Sequence, residues 1–510
     1  MQDINASISR LLDYAVKNKM IAESDRLWAA NAIIAKLKLP SFTQVKIKEK
    51  LPKYPRQILS DISTFAAENK IIQDLPFSKD IFENSIMGIF LQRPSDFVKT
   101  FQEIAAKKNI KAATDYLYEK ECQSCYIKVQ EIEKNIVWKS KTKYGSIDIA
   151  INLSKPEKTP QEIALIKELG AKGLAENSYP KCLLCRENEG FEGGASIAPK
   201  NNLRLIPLKL DGETWYFQFS PYVYYKEHCI VFDSRHKDME IKSKTFAKLL
   251  DFLDNFPHYF IGSNADLPIV GGSILNHDHY QGGNYIFPMH KAAVKKTFKL
   301  KKFPRLKCGI LNWHLSVIRL NGNRKDILGA SSLIFERWKK YSDAKAEIEA
   351  FSGDIRHNTL NPFAKKIGDA FQMDLALRNN RTSQQFPEGI FHTDPKYYHL
   401  KRENMGLIEV LGRGILPPRL KDELQRVKES LIDGSVENLK CDASFAKHYP
   451  WAKELSAKYV FSAENAEKIM RAEIAARFCQ ALDCCAVFKQ NKNGEEAFDR
   501  FINSLNGCKS

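Results

Sequence analysis

The chain has 510 residues, of which 44% are hydrophobic and 27% charged, and it carries a formal net charge of +17. That length holds two or three domains, and that balance is the balance of a soluble globular protein rather than a disordered one. Residues 1–20 include Asp3, Arg10, Asp13, Lys17 and Lys19 with no apolar run of signal-peptide length, and nowhere does the chain approach about 18 consecutive apolar residues, so neither a leader nor a membrane helix is expected and the cytoplasm is the default compartment.

Ile4, Ile8, Leu11, Leu12 and Ala15 recur at helical spacing, and a second helix is expected from Asp25 to Leu37, ended by Leu39-Pro40. Residues 59–72 and 97–118 also read as helical. Between Val129 and Leu153 β-branched and aromatic residues gather around Gly145, which predicts strands. Thr159-Pro160 opens a helix through Leu169, with proline suited to the first turn. From about residue 178 the texture is mixed. Trp215 to Phe219 and Cys229 to Phe232 read as strands; Phe246, Leu249, Leu250 and Leu253 mark an amphipathic helix stopped by Pro257. Leu267 to Gly271 and His277 to Phe287 supply further strands. Strand-like runs are expected at Ile318, Leu333 and Ile334, a helix near 342–352, and a strand at Asp374 to Leu377. Pro417-Pro418 precedes a helix from Leu420, and residues 463–488 form a long alanine-rich helix.

The positive charge invites a nucleic-acid reading. The lysines are nevertheless spread out with acidic residues between them, and the densest run, Lys295, Lys296, Lys299, Lys301 and Lys302, reads as a solvated edge with only Phe298 and Phe303 as aromatic company. The basic balance equally suits an enzyme of phosphorylated substrates. Eleven cysteines in a chain of this length do not spell a disulfide framework. Cys229 reads as a small hydrophobe, Cys484 and Cys485 fall in the alanine-rich helix, and Cys441, Cys479 and Cys508 show no partner pattern.

The densest chemistry lies between Gly271 and Gly283. His277, His279 and Gln281 alternate there, and on a strand such positions face one way. Gly271, Gly272, Gly282 and Gly283 bracket them, which suits close approach of backbone to a ligand. By spacing alone the histidine pair is a metal site, a hydrogen-bonded core pair or a nucleophile with its support. A second constellation is Cys182-Leu183-Leu184-Cys185, whose spacing suits two thiolates on one tetrahedral zinc. Cys122 and Cys125 share that spacing; they read as two unrelated thiols, the alternative being a redox or metal pair.

The stretch around His279 resembles the histidine-triad superfamily, with Gln281 in the third histidine's place, the mark of its hexose-1-phosphate uridylyltransferase branch. Residues 144–158, 178–190, 220–232 and 377–383 resemble the type found in many Gram-positive bacteria. The resemblance, scattered from about residue 130 to residue 430, implies an α+β fold with a histidine-triad-like mixed or antiparallel sheet core and helical N-terminal and C-terminal regions. The expected layout is a helical region 1–170, a catalytic half 171–305, a second α/β half 306–430 and a helical region 431–510.

The resemblance implies exchange of UMP between UDP-glucose and galactose 1-phosphate through a uridylylated His279. It makes Cys182, Cys185, His236 and His277 the ligands of a structural zinc, and it implies a homodimer. Gln281 then donates a hydrogen bond to a phosphoryl oxygen but does not readily give up a proton, which favours transfer over hydrolysis. Asn264, Gly272 and Ser273 fall where the family's loop meets phosphate and ribose. His228 either lines the nucleotide site or packs beneath it. Arg378, Asn379, Asn380 and Arg381 either grip the sugar phosphate or form a surface loop. Some relatives hold a second metal on histidines near the stretch matching Leu407 to Leu420; this stretch has none, so no second metal is expected. The competing readings are a histidine-triad nucleotide hydrolase or phosphorylase and a basic RNA-binding protein. No nucleic-acid or membrane partner is expected.

Overall fold

The computed structural model describes residues 3–154, 179–194, 197–272 and 274–507. The chain forms two compact units, one of Met1–Glu133, Pro156–Val223 and Glu227–Lys237, the other of Lys134–Lys155, Tyr224–Lys226 and Asp238–Ser510. The fold is α+β, with helices at both ends of the chain.

The first unit begins with helices Ile4–Lys17, Arg26–Lys36, Arg56–Glu68, Pro76–Ile89, Pro94–Lys107 and Ile110–Gln123. The predicted helical spacing at the start of the chain does bury one face: Ile8, Leu11, Leu12 and Ala15 pack with Ala29, Ile33, Ile58, Ile62, Ile86 and Met87. Where one helical stretch was expected over 97–118 there are two helices. Asn109 divides them, with extended backbone and a side chain that accepts from the Ala112 amide at 2.8 Å. The helix Pro76–Ile89 has no counterpart in the sequence reading; Pro76 stands at its start. Strands Ile206–Leu210, Glu213–Phe219 and Cys229–Asp233 then pair antiparallel in chain order. The expected helix from Thr159 to Leu169 lies outside the described residues.

In the second unit the hairpin Ile136–Thr142 and Gly145–Ile151 takes Arg413–Leu416 as a parallel neighbour. A longer antiparallel run follows the order His279–Gly283, Phe260–Gly262, Asn358–Ile367, Ala370–Asn379, Val317–Gly322, Lys307–Leu311 and Val294–Phe298. Helices Ser243–Asn255 and Arg324–Lys339 pack on Asn358–Ile367. Trp338 Nε1 ties the second helix down by donating to the Thr359 carbonyl at 2.8 Å. Arg319 and Asp374 face each other across two central strands and form a doubly hydrogen-bonded pair, both bonds 2.7 Å long and both residues buried. The last strand is an exposed edge whose Lys295 and Lys296 pair with Glu495 and Asp499, in keeping with the solvated edge expected of that run. Helices Leu420–Asp433, Tyr449–Lys458, Ala466–Cys484 and Lys492–Ser504 complete the unit.

Three local expectations are corrected here. Leu333 and Ile334 lie not in a strand but in helix Arg324–Lys339, which Asn323 caps by accepting from the Asp326 amide at 2.9 Å. The helix expected near 342–352 is instead a short turn, Ala344–Ala346, and the small strand pair Phe351–Ser352 and Ile355–Arg356. Leu267 to Gly271 is a tight loop, and the strand expected over His277 to Phe287 runs only from His279 to Gly283. Leu333-Ile334 and Leu267–Gly271 are short apolar runs that carry no period of their own, so caps and tertiary contacts decided them.

Candidate active site and metal ligands

Strand His279–Gly283 aligns Gln281 with Gly262 and Gly283 with Phe260. His279 and Gln281 therefore share one face, whereas His277 precedes the strand. His279 is buried, and its Nδ1 lies 2.8 Å from the His277 carbonyl oxygen. A carbonyl can only accept, so Nδ1 carries the proton and the Nε2 lone pair is left free. Burial pushes this imidazole down to about 4; the bond to the carbonyl opposes that fall and the neighbouring His277 ring adds to it. The ring is thus uncharged at neutral pH. Gln281 is half-buried beside it.

The segment Asn264–Gly272 leads toward this strand. Asn264 is buried, and its Oδ1 accepts from the Leu407 amide at 2.8 Å. A Cβ on Gly272 would stand 2.5 Å from Asn264 Nδ2, and one on Gly271 would stand 2.6 Å from the Ala265 carbonyl oxygen. Both glycines are therefore demanded by the closeness of the loop to itself. Ile269 adopts φ 72°, an unusual conformation for a β-branched residue. Ser273 lies outside the described residues.

Arg378 and Asn379 end strand Ala370–Asn379, and Asn380 and Arg381 follow it outside the strand. Arg378 is buried, and its Nη1 donates to Asn361 Oδ1 and to the Met405 carbonyl, each at 3.0 Å. Asn379 Nδ2 donates to Asn358 Oδ1 at 2.7 Å. Asn380 Nδ2 reaches the Pro268 carbonyl at 3.3 Å, while its Oδ1 accepts from His357 Nδ1 at 2.9 Å. Arg381 pairs with Glu349 at 2.8 Å. Sequence reasoning missed Asp266, whose nearly inaccessible carboxylate accepts from three groups in the same region. A loop aspartate two residues after Asn264 carries no signal of burial by itself.

In the first unit Cys182 Sγ lies 3.5 Å from Cys185 Sγ, which lies 3.2 Å from His236 Nδ1. Two thiols and an imidazole nitrogen at such separations form a candidate metal-binding cluster. Burial, with Cys182 alongside, pushes the Cys185 thiol up to about 11. His228 is buried just before strand Cys229–Asp233, and its carbonyl accepts from the Ser220 amide at 2.8 Å. Cys122 and Cys125 lie at the end of helix Ile110–Gln123; burial raises both thiols, Cys125 to about 12, which leaves them poor nucleophiles.

An uncharged imidazole with a free nitrogen, a carboxamide on its strand face and a glycine-built loop nearby are equipment for group transfer through histidine. Two family descriptions match the chain: "Galactose-1-phosphate uridyl transferase, N-terminal domain" over residues 44–238 and "Galactose-1-phosphate uridyl transferase, C-terminal domain" over residues 252–453. A protein of Fusobacterium nucleatum named galactose-1-phosphate uridylyltransferase is 46% identical over 512 residues, covering 99% of each chain. One of the same name from Bacillus subtilis is 41% identical over 506 residues, covering 98% of this chain and 97% of its own. Among solved structures, the yeast Ap4A phosphorylase Apa2 covers 60% of this chain and 89% of its own at 13% identity and a TM-score of 0.32, a likeness too slight to bear on the assignment. The chain belongs to the galactose-1-phosphate uridylyltransferase family.

Proposed function

We propose that this enzyme moves UMP from UDP-glucose to galactose 1-phosphate by way of a uridylylated His279. The observation that carries the reading is the 2.8 Å hydrogen bond from His279 Nδ1 to the His277 carbonyl. It fixes the tautomer and presents Nε2 as the nucleophile. Attack of Nε2 on the α-phosphorus of UDP-glucose forms an N–P bond and breaks the P–O bond to glucose 1-phosphate. The positive charge that develops on the ring is shared with the carbonyl through Nδ1–H. A phosphate oxygen of galactose 1-phosphate then attacks the same phosphorus, forms UDP-galactose and returns His279 to its neutral form. Gln281 hydrogen-bonds a phosphoryl oxygen and, lacking an acidic proton, gives water no help.

We assign Asn264, Gly272, Ser273 and His228 to the uridylyl phosphate and ribose, and the strand end Arg378, Asn379, Asn380 and Arg381 to the sugar phosphate. The link from Asn380 to Pro268 supports the second assignment, because it joins that strand end to the loop of Asn264. Zinc is the metal we assign to Cys182, Cys185 and His236, with His277 as the fourth ligand; soft thiolates with imidazole suit that ion. Bound there it has a structural task, holding the segment before the catalytic strand. The reading extends to a cytoplasmic homodimer, and no helix among the described residues is long and apolar enough to cross a membrane.

Incubation with UDP-glucose labelled in the uridylyl phosphate, followed by peptide mass mapping, tests the reading. Label is expected on the peptide containing His279 and should leave as UDP-galactose when galactose 1-phosphate is added. Label on another residue, or release as free UMP without an acceptor, would overturn it.

A further inference from the structure

We infer that Asp266 is a positioning residue for substrate binding, the anchor that holds the Asn264–Gly272 loop in its working shape. The inference rests on the assignment of Asn264 and Gly272 to the substrate. Asp266 is the third residue of that loop, with its side chain 2% exposed. Its two oxygens collect three donors from separate parts of the second unit. Oδ2 accepts from the Ile241 amide at 2.9 Å and from Arg356 Nη2 at 2.7 Å, and Oδ1 accepts from Thr359 Oγ1 at 2.5 Å. Ile241 lies just ahead of helix Ser243–Asn255, Arg356 belongs to the small strand pair, and Thr359 to the long strand Asn358–Ile367.

The loop has reason to need such an anchor. It turns so sharply that Gly271 stacks on the carbonyls of Ala265 and Leu267, and Ile269 is held at positive φ. Segment 239–241 is bonded to the loop and to the chain beyond it, since the Ile241 amide donates to Asp266 while the Met239 amide donates to the Leu275 carbonyl at 2.8 Å. A charged, buried carboxylate with three donors holds one geometry better than neutral contacts do. Without it the loop would be ordered only when substrate binds, and that ordering would be subtracted from binding energy rather than from the chemical step.

The test uses the full-length enzyme with Asp266→Asn and, as a milder probe, Thr359→Val. KM for UDP-glucose, kcat, thermal midpoint and hydrogen–deuterium exchange of the peptide spanning residues 264–276 are measured. Asp266→Asn is expected to raise KM about tenfold, equivalent to about 1.4 kcal/mol, with kcat changed less than about twofold. The loop peptide should exchange faster in the free variant and recover protection with UDP-glucose. Thr359→Val should move both readouts the same way by less, and it decides the matter if Asp266→Asn does not fold. Unchanged KM and unchanged loop exchange in a folded variant would overturn the inference. So would a lower thermal midpoint with no change confined to the loop, the mark of a merely structural residue. If wild-type enzyme takes no label from UDP-glucose, the functional reading itself fails; that is seen before any variant is made, and this inference falls with it.

Discussion

His279 and Gln281 share one strand face, and the role in transfer proposed for each can be tested alone. His279→Gly removes the imidazole and leaves a gap of its size. Sugar exchange should be lost almost completely while UDP-glucose still binds. Added free imidazole should then attack in its place, releasing glucose 1-phosphate and uridylyl-imidazole with saturating kinetics. Rescue should be partial, since positioning contributes up to about 7–11 kcal/mol in well-oriented cases. Full activity in that variant, or rescue of His277→Gly in its stead, would refute the assignment. Gln281→His places an imidazole beside the proposed intermediate. Transfer should slow, and a larger share of label should pass to water when galactose 1-phosphate is limiting; an unchanged partition would remove the argument for the carboxamide. Both residues were visible in the sequence because alternation on a strand is a local property. Asp266 was not, because its three donors come from residues 241, 356 and 359.

At the level of elements, the central strands of the second unit are locked by the pair Arg319 and Asp374. Arg319 also donates to the carbonyls of Ala292 at 3.1 Å and Met289 at 3.0 Å, so its buried guanidinium makes four hydrogen bonds in all. Asp374→Ala would leave that cation buried and uncompensated. A loss of about 3–5 kcal/mol in unfolding free energy is expected, read by chemical denaturation. The double variant Arg319→Met with Asp374→Leu should lose distinctly less, because no charge is then stranded; equal losses would show that the pair is not what holds these strands. The strands themselves were legible at Ile318 and at Asp374 to Leu377. Their mutual register was not, since a slip of two residues keeps every side chain on the same face. The misreading of Leu333 and Ile334 has the same origin. Two adjacent apolar residues suit a strand or a helix, and only the Asn323 cap and the packing of Trp338 decide for the helix.

For the whole molecule, the proposed zinc makes a prediction about folding. Structural zinc contributes folding energy directly and is bound by thiolate, not thiol. Cys182→Ser or Cys185→Ser should lower metal content and the thermal midpoint together, and a strong chelator should do the same to wild type. Elemental analysis of the purified enzyme that finds no zinc would retire the ligand set. The same purified protein bears on its charge. Two lysines of its densest basic run, Lys295 and Lys296, are matched by Glu495 and Asp499.

What the sequence determined by itself was whatever depends on neighbours along the chain. Amphipathic helices at Ile4–Lys17 and Ser243–Asn255, the strand at Trp215 to Phe219, the Cys-x-x-Cys pair, the His279–Gln281 alternation and membership of the family are all carried by short spacings or residue identities. The tertiary structure alone decided which nitrogen of His279 is free, why Gly271 and Gly272 cannot bear side chains, and that a carboxylate at Asp266 is buried among three donors. The first two arise from the path the backbone takes within one segment, and the third from donors that meet only after distant segments pack. A carbonyl's direction and a cavity one Cβ too small leave no mark in composition or period, because they are properties of the folded backbone rather than of the residues in line.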